Sequence, residues 1–331
     1  MRLVMLLGIA AVAAAAVYLN NSSYLAQPPA DRPSLLAHRG LAQTYDKTGL
    51  TGETCTATRI DPPVHDYLEN TIASMRAAFE LGADVVELDI HPTTDGHFAV
   101  FHDWTLDCRT NGHGVTREHS LAQLKALDVG YGYSADRGKT FPFRGKGVGL
   151  MPSLDEVLAA FPDKPLLINV KSNDPGEGRL LAARLSVLPS ERLEQLMVYG
   201  GDRPIAVLRQ ELPALRVMSR RTLQDCFIRY ALTGWAGYVP EACRGTLLLV
   251  PTNIGPWLWG WPHVFQRRLE RYGTKIYAVG PYRGGEFSTG VNTREELQSL
   301  PDGYAGGIWT DRIDVISPLV LQHRPDASHD D

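Results

Sequence analysis

The chain predicts a TIM-type (β/α)8 barrel over residues 33–322, with long insertions in the early loops and a hydrophobic segment ahead of it. Three observations carry this expectation. Eight short apolar runs rich in branched residues recur after Pro33, each bounded as a strand would be. Segments of helical spacing separate them, and such alternation brings parallel strands together around a barrel axis. Most runs end on polar or charged residues: His38, Glu87 and Asp89, Asn169 and Lys171, Arg220, Asp311. A barrel gathers those ends on one rim, where active sites form. An open doubly wound sheet is the alternative, but no G-x-G-x-x-G follows the first run.

The elements follow in chain order. Leu3 to Leu19 is apolar throughout behind the single cation Arg2. That is longer than a signal-peptide core and slightly short of the ~20 residues that span a bilayer. Ala14-Ala15-Ala16 lies inside the run, and Tyr24-Leu25-Ala26 has a bulky residue where cleavage wants a small one. Residues 1–20 therefore read as a signal anchor in preference to a cleaved signal peptide. Either form exports the body of the chain to a periplasmic or other extracytoplasmic site, anchored at a membrane in the first case. Residues 21–32 read as a Pro-rich linker, and 323–331 as a polar tail.

Strands are expected at 34–38, 84–90, 165–170, 195–200, 215–220, 246–251, 275–280 and 306–311. "ENTIASMRAAFELG" (69–82) places Ile72, Met75, Ala78 and Phe79 on one helical stripe. "SLDEVLAAFP" opens with Ser153 as N-cap and Glu156 as its capping-box partner. Further helical segments are 177–188, 202–210, 221–232, 262–272, 293–300 and 314–322. Asp95-Gly96 marks a hairpin-type turn. The insertions are 41–66 and 103–150; the Gly-rich stretch at 136–149 lacks the spacing of a nucleotide-binding P-loop.

At 44% hydrophobic and 21% charged the chain is globular in composition. Its net charge of -4 gives no basic footprint, which argues against nucleic acid as a partner. No obligate protein partner is evident. Four cysteines, Cys55, Cys108, Cys226 and Cys243, suit an oxidising compartment. Their grouping suggests Cys55–Cys108 and Cys226–Cys243, although four cysteines allow three pairings.

The chemistry concentrates early. Seven of ten histidines lie between positions 38 and 119. In "VVELDIHPTTDGHFAVFHD" (85–103), Glu87 and Asp89 alternate and so share a strand face. Two buried carboxylates side by side raise the pKa of at least one. A divalent cation, Mg2+ or Ca2+, removes that conflict. His38 and His102 add groups that move protons near neutral pH, and Arg39 adds a planar cation that matches phosphate oxygens. Two imidazoles, an arginine and a metal make a phosphodiester-cleaving set.

These residues resemble the glycerophosphodiester phosphodiesterase family. The likeness rests on "HRG" (38–40), "ENT" (69–71), residues 82–103, "RTNGHG" (109–114), "MPSLDEVL" (151–158) and "GGIWTD" (306–311). It implies a barrel that hydrolyses glycerophosphodiesters to glycerol 3-phosphate and an alcohol with one divalent cation. It also implies His38 and His102 as acid–base pair and Arg39 as a catalytic phosphate ligand. Glu87 and Asp89 would hold the metal, Lys171 would contact phosphate, and Glu69 would orient the His38–Arg39 region. The family's Glu-x-Lys at the third strand end reads Asn169-Val170-Lys171 here. Asn169 offers a carbonyl oxygen without charge, so weaker metal binding is expected, and Asp174 is the nearby carboxylate that would replace it.

Two other functions fit the same residues. A lysophospholipase D or sphingomyelinase-D-like activity would draw on Trp257, Trp259 and Trp261 as an apolar lip for a lysolipid tail. A headgroup-binding module without turnover would be explained by Asn169.

Overall fold

The computed structural model describes residues 2–26, 31–51, 54–284 and 289–322. Each apolar run forms a strand: β1 (Leu35–Ala37), β2 (Val85–Pro92) with the short antiparallel β3 (Phe98–Val100) beside it, β4 (Leu166–Val170), β5 (Leu196–Gly200), β6 (Arg216–Ser219), β7 (Leu247–Pro251), β8 (Lys275–Val279) and β9 (Gly307–Thr310). Apart from β3 they lie in the order β6-β5-β4-β2-β1-β9-β8-β7, and every paired neighbour along that path is parallel. The seam between β6 and β7 is drawn together by Thr246, whose hydroxyl donates to the Val217 carbonyl at 2.6 Å. The result is a nearly closed eight-stranded barrel.

The helices are α1 (Arg2–Asn21), α2 (Ile72–Glu80), α3 (Leu121–Lys125), α4 (Leu154–Ala160), α5 (Pro175–Leu185), α6 (Ser190–Glu194), α7 (Asp202–Glu211), α8 (Arg220–Thr233), α9 (His263–Glu270), α10 (Arg294–Gln298) and α11 (Ile313–Gln322). Ser153 caps α4 and Glu156 closes the box. Thr71 with Ser74, Ser219 with Thr222 and Thr293 with Glu296 do the same for α2, α8 and α10. Helices α3 and α6, five residues each, are not among the expected segments.

Alternation along the strands positions the site. Leu35, Val86, Leu88, Ile90, Leu166 and Ile168 face outward and pack under α2, α4 and α5. The intervening residues point into the barrel, where Leu36, Val85, Leu167, Met197 and Trp309 form an apolar floor. Two residues further along these strands, the same inward face carries His38, Glu87, Asn169, Tyr199 and Asp311, with Asp89 two beyond Glu87. The change from apolar floor to polar mouth is therefore one step of period two.

The two early insertions have a small core of their own. Ala57, Ile60, Leu106, Leu124, Tyr133 and Phe143 are buried together, and the Cys55–Cys108 disulfide ties the first insertion to the second. The other disulfide, Cys226–Cys243, joins α8 to the approach to β7. It closes a segment of 17 residues, for which chain-entropy arguments give about 3 kcal/mol. A Cys226→Ser/Cys243→Ser variant is expected to lose about that much in urea unfolding. An unchanged midpoint would show the bridge to be dispensable.

Helix α1 is 20 residues long and apolar enough to cross a membrane by length and composition, and none of it is buried. The start of the segment read as a linker is in contact with the barrel: Asn20, Asn21 and Ser23 hydrogen-bond to residues near the ends of α8 and α9. Residues 27–30 of that segment and the polar tail 323–331 lie outside the described residues.

Candidate active site

The site begins at the end of β1 with "HRG". Arg39 adopts a left-handed backbone, φ 60°, as does Asn70 at φ 59°. Such conformations cost free energy in non-glycine residues and persist where surrounding bonds hold them. Here Arg39 N–H donates to Glu87 Oε2 at 3.2 Å. Gly40 follows at φ 80° and packs so closely on α2 that a Cβ would lie 2.6 Å from Ser74 Oγ. Only glycine fits there.

The Arg39 side chain is buried and threaded between carboxylates: Nε is 3.0 Å from Asp89 Oδ2, and Nη1 is 3.1 Å from Glu69 Oε1. Burial opposes the charge, but Asp89 and Glu69 outweigh it and hold the guanidinium strongly protonated. Asp89 also accepts from Asn70 Nδ2 at 3.0 Å and Asn169 Nδ2 at 2.9 Å, and lies 3.5 Å from Lys171 Nζ. Burial favours its neutral form, yet Lys171 and Arg39 pull its pKa well below the usual range. Glu87 accepts from the Tyr199 hydroxyl at 2.7 Å. Lacking comparable cations, it is pushed up to about 7 by burial and by Asp89.

Both imidazoles are held through the same ring atom. His38 Nδ1 lies 2.6 Å from Asp311 Oδ1, and His102 Nδ1 lies 2.7 Å from Asp103 Oδ1. A carboxylate at Nδ1 fixes the proton there and leaves Nε2 for chemistry. Asp311 is itself clamped by Lys47 Nζ at 2.6 Å and Asn292 Nδ2 at 2.8 Å. Asp103 is held by Arg109 Nε at 2.9 Å, and Arg109 reaches on to Glu69 at 3.2 Å. The His102 pKa falls to about 4, through burial and then the charges of Arg39 and Lys171.

Glu87, Asp89 and Asn169 sit side by side, Asp89 and Asn169 being register partners across β2 and β4. Two carboxylates and an amide oxygen are hard donors of the kind Mg2+ or Ca2+ takes. Among the described residues, no group of three His, Cys, Asp or Glu is placed to share an ion. Asp174 does not supply the missing charge: it caps α5, accepting from Gly176 N at 2.8 Å.

A cleft of about 1260 Å³ opens over this floor, with Arg39, His102 and Lys171 at its base and Leu50, Trp104 and Tyr282 among its wall residues. A side pocket reaches His38, Lys47 and Asp311. Trp257, Trp259 and Trp261 line neither; Trp261 packs on Phe265 and Tyr304, and Trp259 donates to the Ala231 carbonyl. Trp104, directly after His102-Asp103, is one apolar wall residue, with Leu50 another.

Sequence reasoning left Asp103, Asp311, Arg109, Lys47 and Tyr199 without roles. Asp103 and Asp311 were marked by adjacency to a histidine and by a strand end. Lys47 and Tyr199 carried no signal, because their partners lie 264 and 112 residues away.

The C-terminal mouth of this parallel barrel thus gathers two carboxylate-held imidazoles and a buried arginine. Residues 38–182 match the model of the Glycerophosphoryl diester phosphodiesterase family. A glycerophosphodiester phosphodiesterase of Caldanaerobacter subterraneus is 41% identical over 103 residues, 31% of this chain and 39% of that protein. One from Bacillus subtilis is 40% identical over 122 residues, 35% and 40% of the two chains. A mouse lysophospholipase D is 31% identical over 141 residues, 41% of each. The matched segments thus span less than half the length of these relatives. Among solved structures, the glycerophosphoryl diester phosphodiesterase domain of a Mycobacterium tuberculosis protein has a TM-score of 0.62 at 16% identity, covering 87% of this chain and 99% of that one. An Oleispira antarctica phosphodiesterase, solved with sn-glycerol-3-phosphate, has a TM-score of 0.54 at 17% identity, covering 88% and 97%. These likenesses extend the barrel fold over most of the chain.

Proposed function

We propose that the protein hydrolyses glycerophosphodiesters to glycerol 3-phosphate and an alcohol. The observation that carries this reading is the pair of imidazoles, each with Nδ1 bound to its own carboxylate, at the mouth that also holds Arg39. Arg39 and Lys171 bind the phosphodiester and stabilise charge that builds on its oxygens. His102 is held neutral by burial and by those two cations, so it accepts the proton of the attacking hydroxyl, from water directly or from the substrate's own glycerol, in which case the cyclic phosphate formed first is then opened by water to glycerol 3-phosphate. His38, backed by Asp311, donates a proton to the leaving alkoxide. Glu69 and Arg109 hold Arg39 and Asp103 and so keep the two halves in register. Export and anchoring through α1 would place this chemistry on the outer side of a membrane.

Glu87, Asp89 and Asn169 would hold one divalent cation, which when bound supplies positive charge beside the phosphate. With Asp89 already engaged by four donors and Asn169 uncharged, the affinity is low. An Asn169→Glu variant is expected to bind Ca2+ or Mg2+ more tightly by titration calorimetry. Unchanged affinity would place Asn169 outside the shell.

A second reading, lysophospholipase D activity, draws support from the mouse relative and from the apolar cleft wall at Leu50 and Trp104. One assay on the purified full chain separates the readings. Glycerol 3-phosphate released from glycerophosphocholine, and suppressed by chelator, is the expected result. Faster cleavage of lysophosphatidylcholine favours the second reading, and no cleavage of either leaves a binding module.

A further inference from the structure

We propose that the barrel is clamped to its N-terminal helix in one orientation, and that a collar of aromatic side chains around the junction lies in the headgroup region of a phospholipid bilayer. The junction is built by reciprocal capping. Helix termini leave backbone groups unpaired. Arg268, in the last turn of α9 and 9% exposed, donates to the Asn20 carbonyl at the C-terminus of α1 and to the Gly234 carbonyl at the end of α8. One guanidinium thus closes two helix ends. In return Ser23 caps α9, whose own N-cap is Pro262 and has no side-chain bond to offer. Ser23 Oγ accepts from His263 N at 3.2 Å and Val264 N at 3.3 Å and donates to the Gly260 carbonyl at 2.7 Å. Asn20 and Asn21 both donate to the Trp235 carbonyl, at 3.0 and 2.8 Å.

The surface at this junction exposes several large apolar side chains. Ile228, Leu232 and Trp235 follow at helical spacing down α8 and beyond its end, and are 63, 70 and 47% exposed. Trp259 packs on the same turn through its bond to Ala231, and Trp257, two residues away, is 84% exposed. Tyr238, three residues beyond Trp235 in the chain, is 54% exposed. The occupant follows from continuity. The collar surrounds the end of a 20-residue apolar helix, about 30 Å long at 1.5 Å per residue, which matches the hydrocarbon thickness of a bilayer. Tryptophan and tyrosine favour the layer where such a helix emerges. Bonds from residues 20–23 to the collar leave no slack between helix and domain, so wherever α1 spans, the collar meets headgroups.

The test uses the full chain reconstituted in phosphatidylcholine vesicles, with lipids brominated on the upper acyl chain as quenchers of tryptophan emission. Bromolipid is expected to quench the wild type, and W235F/W257F/W259F to lose most of that quenching while keeping its turnover. Trp257→Phe alone, at a site too exposed to perturb folding, is expected to lose part of it. Quenching that is absent, or equal in all three proteins, overturns the proposal. So does recovery of the membrane-extracted protein with its chain starting beyond Asn21. None of these outcomes depends on which phosphodiester the barrel cleaves.

Discussion

Alanine at His38 or His102 is expected to lower kcat on glycerophosphocholine by about 10²–10⁴-fold, the range for removal of a positioned acid or base. The two variants should part company when the leaving group changes. A glycerophosphodiester with a 4-nitrophenyl leaving group departs as a stable anion and needs no proton. His38→Ala should recover most of its loss on that substrate, because the donor's task has disappeared. His102→Ala should not, because the attacking hydroxyl still has to surrender its proton. Equal recovery in both variants would reverse or erase the assignment of donor and acceptor, and wild-type rates in both would remove the mechanism. Asp311→Asn and Asp103→Asn should fall between, since an amide in place of the carboxylate no longer fixes the Nδ1 proton.

The second large effect concerns stability. Arg39→Met is expected to cost about 3–5 kcal/mol, the usual consequence of removing one partner from a buried ion cluster. Asp89 and Glu69 are almost wholly buried and both lean on this guanidinium. Without it, Asp89 would keep Lys171 and Glu69 would keep Arg109, so two carboxylates would remain buried with half their compensation. Methionine matches the length of the arginine stem and pays the same φ penalty at this left-handed position, so the measured difference reports charge. Arg39→Lys should recover part of the loss, because an ammonium reaches one carboxylate where the planar fork reaches two. A denaturation midpoint for Arg39→Met within error of the wild type would mean that the carboxylates find other partners or take up protons.

The expected eight strands are all present, and their ends differ from the sequence reading by at most two residues. Period-two patterning and the polar residue that closes each run were local signals strong enough to stand without tertiary context. His38, Arg39, Glu87 and His102 were legible for the same reason: each sits at a strand end or just past a hairpin, in a segment whose spacing says which way it points. The roles of Asp103, Asp311 and Arg109 were not, although two of them stand next to residues that were singled out. A carboxylate beside a histidine in sequence orients it only if the ring turns toward it, and that depends on the packing of elements far away.

Trp257, Trp259 and Trp261 show the opposite failure. Their spacing marked them as conspicuous, and a loop after a barrel strand placed them nominally at the catalytic mouth. In the fold Trp259 bonds to α8 and Trp261 packs on Phe265 and Tyr304, while Trp104 stands in the cleft wall. Loop length sets how far a segment can travel, and only its contacts set where it goes.

The amino-acid sequence alone thus determined the barrel, the shared face of Glu87 and Asp89 and the identity of the acid–base candidates, because strand periodicity and residue chemistry are short-range properties. The tertiary structure decided which carboxylate holds which imidazole, how Asp89 is surrounded, and how α1 is fastened to the barrel. Those are meetings between residues tens to hundreds of positions apart, and their distances come only from closing the barrel.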